Sequence, residues 1–174
     1  MDIEIKPFEA RYTRDVGELI VPIQRSEFDI PITYEQQPDL LDIPGFYQRD
    51  AGDFWLALAG DRVVGSIALL DIGEGLGALR KMFVAADCRG AGAGGGAGVA
   101  RRLLNALLDH ARTHRLRTIY LGTTDKFLVA HRFYEKHGFE LVDPATLPKS
   151  FPRMSVDSRF YRLDLNSNDG ACHG

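Results

Sequence analysis

The chain has 174 residues, of which 45% are hydrophobic and 26% are charged, and its formal net charge is −3. This size and composition predict one domain with a sizeable core. The slightly acidic balance argues against nucleic acid as a partner, because proteins that bind a phosphate backbone usually carry a basic stripe. The N-terminus lacks the pattern of a signal peptide, and no segment is long enough to cross a membrane. We therefore expect a cytoplasmic protein without a membrane partner.

The two cysteines, Cys88 and Cys172, have neither metal-ligand spacing nor the pattern of a disulfide framework. We therefore expect no metal site. This cysteine usage also fits a reducing compartment.

The first third of the chain predicts one strand followed by helices. Residues 3–8 alternate between apolar and charged types, as in a half-buried strand. Residues 15–28 carry apolar side chains at helical spacing, and Pro22 should bend or shorten that helix. A second short helix is predicted over residues 39–47.

The middle of the chain predicts three successive antiparallel strands. Gly60 and Asp61 separate the first two strands and form a tight-turn pair typical of a β-hairpin. Glycines at 73, 75 and 77 mark the next turn. The predicted strands are 54–59, 62–70 and 78–84.

A glycine-rich run from Gly90 to Gly98 precedes an amphipathic helix whose apolar stripe extends from Ala100 to Ala111. Glycine lets backbone N–H groups approach an anion, and a helix start adds unpaired donors and the positive end of the dipole. The run therefore predicts a cradle for a phosphate-bearing cofactor. A flexible linker is the alternative reading of this composition.

The last third predicts a strand, a helix and two further strands. The strand at 118–122 is followed by a helix that Asp125 could cap and that ends at Gly138. We expect this strand–helix–strand unit to be parallel and right-handed. The two remaining strands are predicted at 139–142 and 159–165, and a disordered tail at 166–174.

Two segments carry a resemblance to a known family. The first contains Arg89-x-x-Gly92-x-Gly94, and the second contains Tyr134-x-x-x-Gly138-Phe139. Together they resemble the two signatures of the Gcn5-related N-acetyltransferase (GNAT) family. The resemblance implies an α/β (α+β) fold over residues 1–165. Its mixed, mostly antiparallel sheet would have six to seven strands, about four flanking helices and a splayed parallel strand pair.

The resemblance also implies an activity: transfer of an acetyl group from acetyl-CoA to a primary amine, by direct attack in a ternary complex. In the family, the first signature wraps the pyrophosphate, and the strand before it pairs with the pantetheine arm. Here the glycine run holds two overlapping registers of that signature, so which amides meet phosphate stays open. The implied cofactor-binding residues are Met82, Val84, Arg89, Gly90, Gly92, Gly94, Gly98, Ala100 and Thr123.

Tyr134 occupies the family position of the tyrosine near the thioester sulfur, which implies a general acid. No dedicated base stands out. Glu27 and Glu35 lie in the segment that walls the acceptor site in the family, so either could bind or deprotonate the amine. Their charge favours a cationic small molecule, and a peptide amine is the alternative. A homodimer is compatible with the resemblance.

Two other functions are weighed. The run from Gly90 to Gly95 also satisfies G-x-G-x-x-G, which suggests an NAD(P)-binding oxidoreductase domain. It fits less well, because hairpin-linked strands precede the run and Asp125 lies farther away than the usual acid. The other alternative is a non-catalytic domain of the same fold that binds CoA or another ligand.

Overall fold

The computed structural model describes residues 2–89, 98–125 and 128–165. Its strands are β1 (Ile3–Pro7), β2 (Asp53–Ala59), β3 (Arg62–Gly73), β4 (Leu76–Val84), β5 (Thr118–Thr123), β6 (Glu140–Val142) and β7 (Arg159–Asp164). Its α-helices are α1 (Thr13–Ser26), α2 (Pro38–Leu41), α3 (Ile43–Phe46), α4 (Val99–Thr113) and α5 (Leu128–Lys136). The proposed tail and the predicted cofactor glycines Gly90, Gly92 and Gly94 lie outside the described residues.

Within the described residues the strands form one seven-stranded sheet in the order β1-β2-β3-β4-β5-β7-β6. Strands β1 to β4 form three successive antiparallel pairs. The Gly60–Asp61 turn is confirmed, since Ala59 pairs with Arg62 and Gly60 has a φ of 62°. The next turn is also tight, with positive φ at Glu74 and Gly75.

The predicted parallel pair is β4 and β5, joined through α4. The later strands differ in placement from the prediction. Strand β7 lies between β5 and β6 and pairs antiparallel with both. Strands β5 and β6 therefore run in the same direction without being neighbours. This mixed, mostly antiparallel sheet is the predicted fold class, and it excludes the doubly wound parallel sheet of a dinucleotide-binding domain.

The core lies on both faces of the sheet because strand residues alternate between them. From β2, Trp55 and Ala57 pack towards α4, where Leu103 and Leu107 are fully buried. The intervening β2 residues pack towards α1, α2 and α3 in a second apolar cluster. The predicted amphipathic stripe of α4 is thus its core face.

Pro22 does not shorten α1, which continues to Ser26. The carbonyl that loses its helical donor to Pro22 belongs to Glu18, an exposed residue, so the loss carries little cost. The predicted second helix is two single turns, α2 and α3, separated at Asp42. The Asp42 side chain caps the second turn by accepting a hydrogen bond from the Gly45 N–H at 3.0 Å. In the described part of the chain, no helix combines the length and apolar character of a membrane span.

Candidate active site

The site begins where β4 and β5 separate. Their parallel ladder runs from the Leu76–Thr118 pair to the Ala78–Tyr120 pair. Beyond it, β4 continues to Val84 and β5 to Thr123 without pairing to each other in the described structure. Backbone groups on the open side of β4 therefore have no ladder partner from β5, and a ligand that enters the gap can bond to them. Met82 and Val84, both predicted to contact the cofactor, lie on this stretch.

A bulge in β4 directs the side chains of two consecutive residues into the same cavity. Lys81 has a φ of 55°, the register with β3 shifts here, and the Ser66 hydroxyl donates to the Lys81 carbonyl at 2.7 Å. Consecutive residues of a regular strand point to opposite faces, but a bulge breaks that alternation. Arg80 and Lys81 both line the resulting cavity.

This cavity has a volume of about 420 Å³ and lies beside the splayed strand ends. We call it the acceptor cavity. Its walls come from the end of α1, the segment from 28 to 39, the bulge, the end of β5 and the loop from 151 to 157. Phe28, Phe46, Phe83 and Phe151 make much of the lining apolar, and the charged side chains of the lining are few.

A buried polar network lies at one side of the acceptor cavity. Gln24 and Gln37 exchange two side-chain hydrogen bonds, of 3.1 and 2.8 Å. The Lys81 ammonium donates to Gln37 Oε1 at 2.8 Å and forms an ion pair with Asp39 at 3.3 Å. The Tyr47 hydroxyl donates to the same Asp39 oxygen, Oδ2, at 2.6 Å. Such a network holds its members in one arrangement.

Burial and pairing set the charges of that network. Burial alone opposes ionisation of Asp39, but the Lys81 charge and the Tyr47 hydrogen bond outweigh it, so the pKa of Asp39 lies below its ordinary value. Burial also lowers the pKa of Lys81, against the opposing attraction of Asp39. The two charges compensate each other, which leaves neither free to attract a ligand.

Arg80 differs from Lys81 because no described carboxylate forms an ion pair with it. Its guanidinium lies 5.7 Å from the ring centre of Phe46 and 5.9 Å from that of Tyr47, and it donates to the Met154 sulfur at 3.6 Å. Aromatic rings and a thioether hold its orientation while leaving most of its donors unused. The acceptor cavity therefore presents a guanidinium suited to a carboxylate.

Asp157 places a carboxylate in the same cavity, where this group packs against β5. Its Oδ2 would lie 2.6 Å from a Cβ placed on Gly122, so the absence of that Cβ makes room for the group. The Met154 N–H donates to Oδ2 at 3.0 Å. Burial raises the pKa of Asp157, and the opposing effects of the Met154 N–H, Arg80 and Arg153 do not cancel that increase.

The start of α4 lies after the glycine run. Gly98 precedes the helix with a φ of 74° and a ψ of 130°, and no side chain of the described residues caps the first turn. Gly98 and Ala100, both predicted for the cofactor, are thus at a helix N-terminus with unpaired backbone donors. Arg89 is also predicted to contact the cofactor. Its side chain donates to the Val84 carbonyl at 2.8 Å and forms an ion pair with Glu27 at 2.7 Å.

The predicted catalytic side chains are placed as follows. Tyr134 is buried on α5 with its ring 5.5 Å from that of Phe139, and its hydroxyl has no hydrogen-bond partner among the described residues. Burial raises the pKa of Tyr134 well above its ordinary value. Glu27 is occupied by Arg89, and Glu35 is exposed. Neither glutamate lines the acceptor cavity, whereas the predicted Thr123 does.

The sequence analysis did not predict the charged residues that line the acceptor cavity. An available signal was the Arg80–Lys81 pair inside an otherwise apolar strand. Gln24, within the apolar stripe of the first helix, was another. Asp157 lies in a proline-containing loop and had no such signal.

A mixed sheet with a splayed parallel pair, a glycine-led helix at the splay and an adjacent cavity with a few charged side chains are the features expected of an acetyltransferase fold. Residues 18–139 match the model of the Acetyltransferase (GNAT) family. The chain belongs to this family of N-acetyltransferases.

Individual proteins show the same relationship. An N-acetylaspartate synthetase of Xenopus tropicalis is 34% identical over 136 residues, which are 73% of this chain and 48% of that protein. The chain thus spans about half the length of this curated relative. A GNAT-family acetyltransferase structure from Staphylococcus aureus Mu50 has a TM-score of 0.85 at 35% identity, covering 94% of this chain and 99% of that chain.

A more distant structure contains the cofactor. It is the N-acetylglutamate synthase of Neisseria gonorrhoeae, in complex with coenzyme A and N-acetyl-glutamate. Its TM-score is 0.72 at 16% identity, over 95% of this chain and 35% of that chain, so it supports the fold alone.

Proposed function

We propose that the chain transfers the acetyl group of acetyl-CoA to the primary amine of a small molecule that also carries a carboxylate, such as an amino acid. The carboxylate in this proposal is inferred from Arg80, whose guanidinium lines the acceptor cavity and forms no ion pair with a described carboxylate. The name of the Xenopus tropicalis relative, N-acetylaspartate synthetase, agrees with this class. The proposal replaces our expectation of a cationic acceptor, since Glu27 and Glu35 lie off the cavity lining.

Residues around the splay would hold the cofactor. The edge of β4 at Met82 and Val84, which β5 leaves unpaired in the described structure, suits an extended amide-bearing arm once Arg89 releases the Val84 carbonyl, and the donors at Gly98 and Ala100 suit a pyrophosphate. Acetyl-CoA supplies an activated acyl group, its thioester. The cradle glycines Gly90, Gly92 and Gly94 and the side chain of Arg89 remain part of this proposal.

The chain's own contribution to chemistry is positioning and proton transfer. Arg80 would bind the acceptor carboxylate and thereby orient the amine towards the end of β5, near Thr123. Tyr134 would protonate the departing thiolate, since its hydroxyl carries a proton at neutral pH. Apolar side chains around the cavity would limit access of water to the thioester.

A thiol-release assay with a panel of amines tests the proposal. We expect turnover with L-aspartate or L-glutamate to exceed turnover with spermidine or a lysine peptide. Preference for the polyamine or the peptide would overturn the acceptor class. No thiol release with any amine, together with CoA binding, would favour the non-catalytic alternative.

The Arg80→Gln variant tests the observation that carries the proposal. Loss of a charge-assisted hydrogen bond should raise the KM for the carboxylate-bearing amine by about tenfold or more, while the KM for acetyl-CoA stays unchanged. Arg14→Gln is the matched control, because Arg14 is an exposed residue of α1 whose contact is Glu18. An equal effect of both variants would contradict the role of Arg80.

A further inference from the structure

The acceptor cavity holds two opposite charges that are not paired with each other. Arg80 forms no ion pair with a described carboxylate, and the Asp157 carboxyl accepts one hydrogen bond, from the Met154 N–H. The other charges at the cavity, Lys81 and Asp39, neutralise each other. A ligand with one carboxylate and one ammonium group complements Arg80 and Asp157 together.

The location of Asp157 adds a second observation. Its carboxylate packs against Gly122, on the part of β5 that has separated from β4. Ser158, the next residue, fixes the loop to this strand end by donating its N–H to the Thr123 carbonyl at 2.9 Å. The carboxylate is therefore held by the strand that borders the gap, rather than carried on a free loop.

We infer that Asp157 binds the ammonium group of the acceptor and accepts its proton before acyl transfer. This inference rests on the proposed function and names the base that the sequence did not reveal. An N–H bond of the ammonium breaks as an O–H bond forms on the Asp157 carboxylate. The freed nitrogen lone pair then forms the bond to the acyl carbon, the C–S bond breaks, and the sulfur leaves with that electron pair and takes a proton from the Tyr134 hydroxyl. The second proton that the nitrogen loses as the amide forms restores Tyr134 through solvent, and Asp157 releases its own proton to solvent.

The surroundings of Asp157 suit this role. Burial makes its carboxylate a stronger base than an exposed aspartate, since it raises the pKa. Arg80 and Arg153 are the charged groups that oppose the increase, and the Lys81–Asp39 pair adds no free charge. A bound acceptor carboxylate would neutralise Arg80 and thereby raise the basicity of Asp157 further. Binding and proton transfer are thus coupled.

The Asp157→Asn variant tests the inference, because the amide oxygen can still accept from the Met154 N–H. We expect kcat/KM for the acceptor to fall by about 10²-fold at neutral pH, without a change in the Kd for CoA. The loss should shrink as pH rises, because free amine then forms without a base. Thermal stability should not fall. Because the pKa of this carboxylate is raised in the folded protein, its ionisation opposes folding as pH rises, and the variant removes that effect.

The Gly122→Ala variant gives an independent test, because the new Cβ would displace the unaltered carboxylate. We expect a similar loss of activity, and no additional loss when Gly122→Ala and Asp157→Asn are combined. Asp109→Asn, an exposed aspartate of α4, is the control.

A pH-independent loss, or a loss accompanied by weaker CoA binding and lower stability, would overturn the inference in favour of a structural role. Wild-type activity in Asp157→Asn would also overturn it.

A binding measurement separates this inference from the proposed function. L-aspartate and succinate differ by the amine, so wild-type protein should bind L-aspartate more tightly, and Asp157→Asn should lose that preference. If the wild type releases no thiol with any amine, the proposed activity fails, and this comparison still decides whether Asp157 recognises an ammonium group. Equal affinities in the wild type, or no binding of either probe, would overturn the inference.

Discussion

The ammonium of Lys81, on the bulge of β4, lies 3.3 Å from the carboxylate of Asp39, on the single-turn helix α2. Their side chains are 9% and 7% exposed, so the ion pair is almost entirely removed from water. Solvent cannot compensate either partner if the other is lost. The pair therefore connects the segment that walls the acceptor cavity to the centre of the sheet.

Asp39→Asn should lower the free energy of unfolding by about 3–5 kcal/mol, because it leaves a buried ammonium without its carboxylate. Adding Lys81→Met should recover most of that loss, since both charges are then absent. Urea denaturation of the single and double variants measures the coupling. Additive effects of the two substitutions would show that the ion pair does not stabilise the fold.

Gly98→Ala should lower stability by about 1–3 kcal/mol and weaken CoA binding, because Gly98 has a positive φ at the start of α4. A Cβ at Gly98 meets no atom within 4 Å, so the effect comes from the backbone. Gly60→Ala is the control, since Gly60 also has a positive φ and open space. That variant should lose stability and keep its CoA affinity, as measured by denaturation and calorimetry.

Tyr134→Phe should lower kcat by about 10²-fold while leaving the Kd for CoA nearly unchanged, because the substitution removes one proton donor and keeps the ring packing. Thiol release under saturating substrates measures the first quantity, and calorimetry the second. Tyr12→Phe is the matched control, since Tyr12 and Tyr134 are each 5% exposed. Unchanged turnover in Tyr134→Phe would exclude this tyrosine as the general acid.

Acidification should destabilise the protein through His110. Its Nε2 lies 3.2 Å from the Ala51 carbonyl, and its ring stacks on His114 at 3.9 Å. Burial, aided by the charge of His114, lowers the pKa of His110 in the folded state. The unfolded chain therefore binds the proton more tightly, and stability falls as pH decreases from the unfolded pKa, near 6.5, towards the folded value.

Denaturation at about pH 7.5 and about pH 5 measures this loss, and a His110→Gln variant should show a smaller difference between the two conditions. An unchanged difference in that variant would assign the pH dependence to other groups.

Local patterns were sufficient to predict much of the fold. The Gly60–Asp61 hairpin, the apolar stripe of α4 and the positive φ of Gly138 at the end of α5 all depend on residues close in sequence. Such signals act through backbone conformation and helical spacing. The insertion of β7 between β5 and β6 depends on long-range packing, which no local pattern encodes.

The charged residues of the candidate site were harder to predict from the sequence, because long-range packing brings them together as well. Asp157 packs against Gly122 and is close enough to Arg80 for their charges to interact, and both residues are far from Asp157 in sequence. The bulge at Lys81 also reverses the simple expectation for a strand, because alternation would place Arg80 and Lys81 on opposite faces. A family resemblance predicts the cofactor-binding residues and the role of Tyr134, whereas the proposed acceptor residues depend on contacts specific to this chain.

The short ladder between β4 and β5 has a mechanical consequence. The sheet is a pair of antiparallel halves, β1 to β4 and β5 to β7, and in the described structure the hydrogen-bonded joint between them extends from the Leu76–Thr118 pair to the Ala78–Tyr120 pair. A ligand bound in the open part of this gap, as proposed, would contact both halves of the sheet. Substrate occupancy should therefore slow hydrogen exchange in β5 more than in β2, so that rigidity of the whole sheet reports whether the enzyme is loaded.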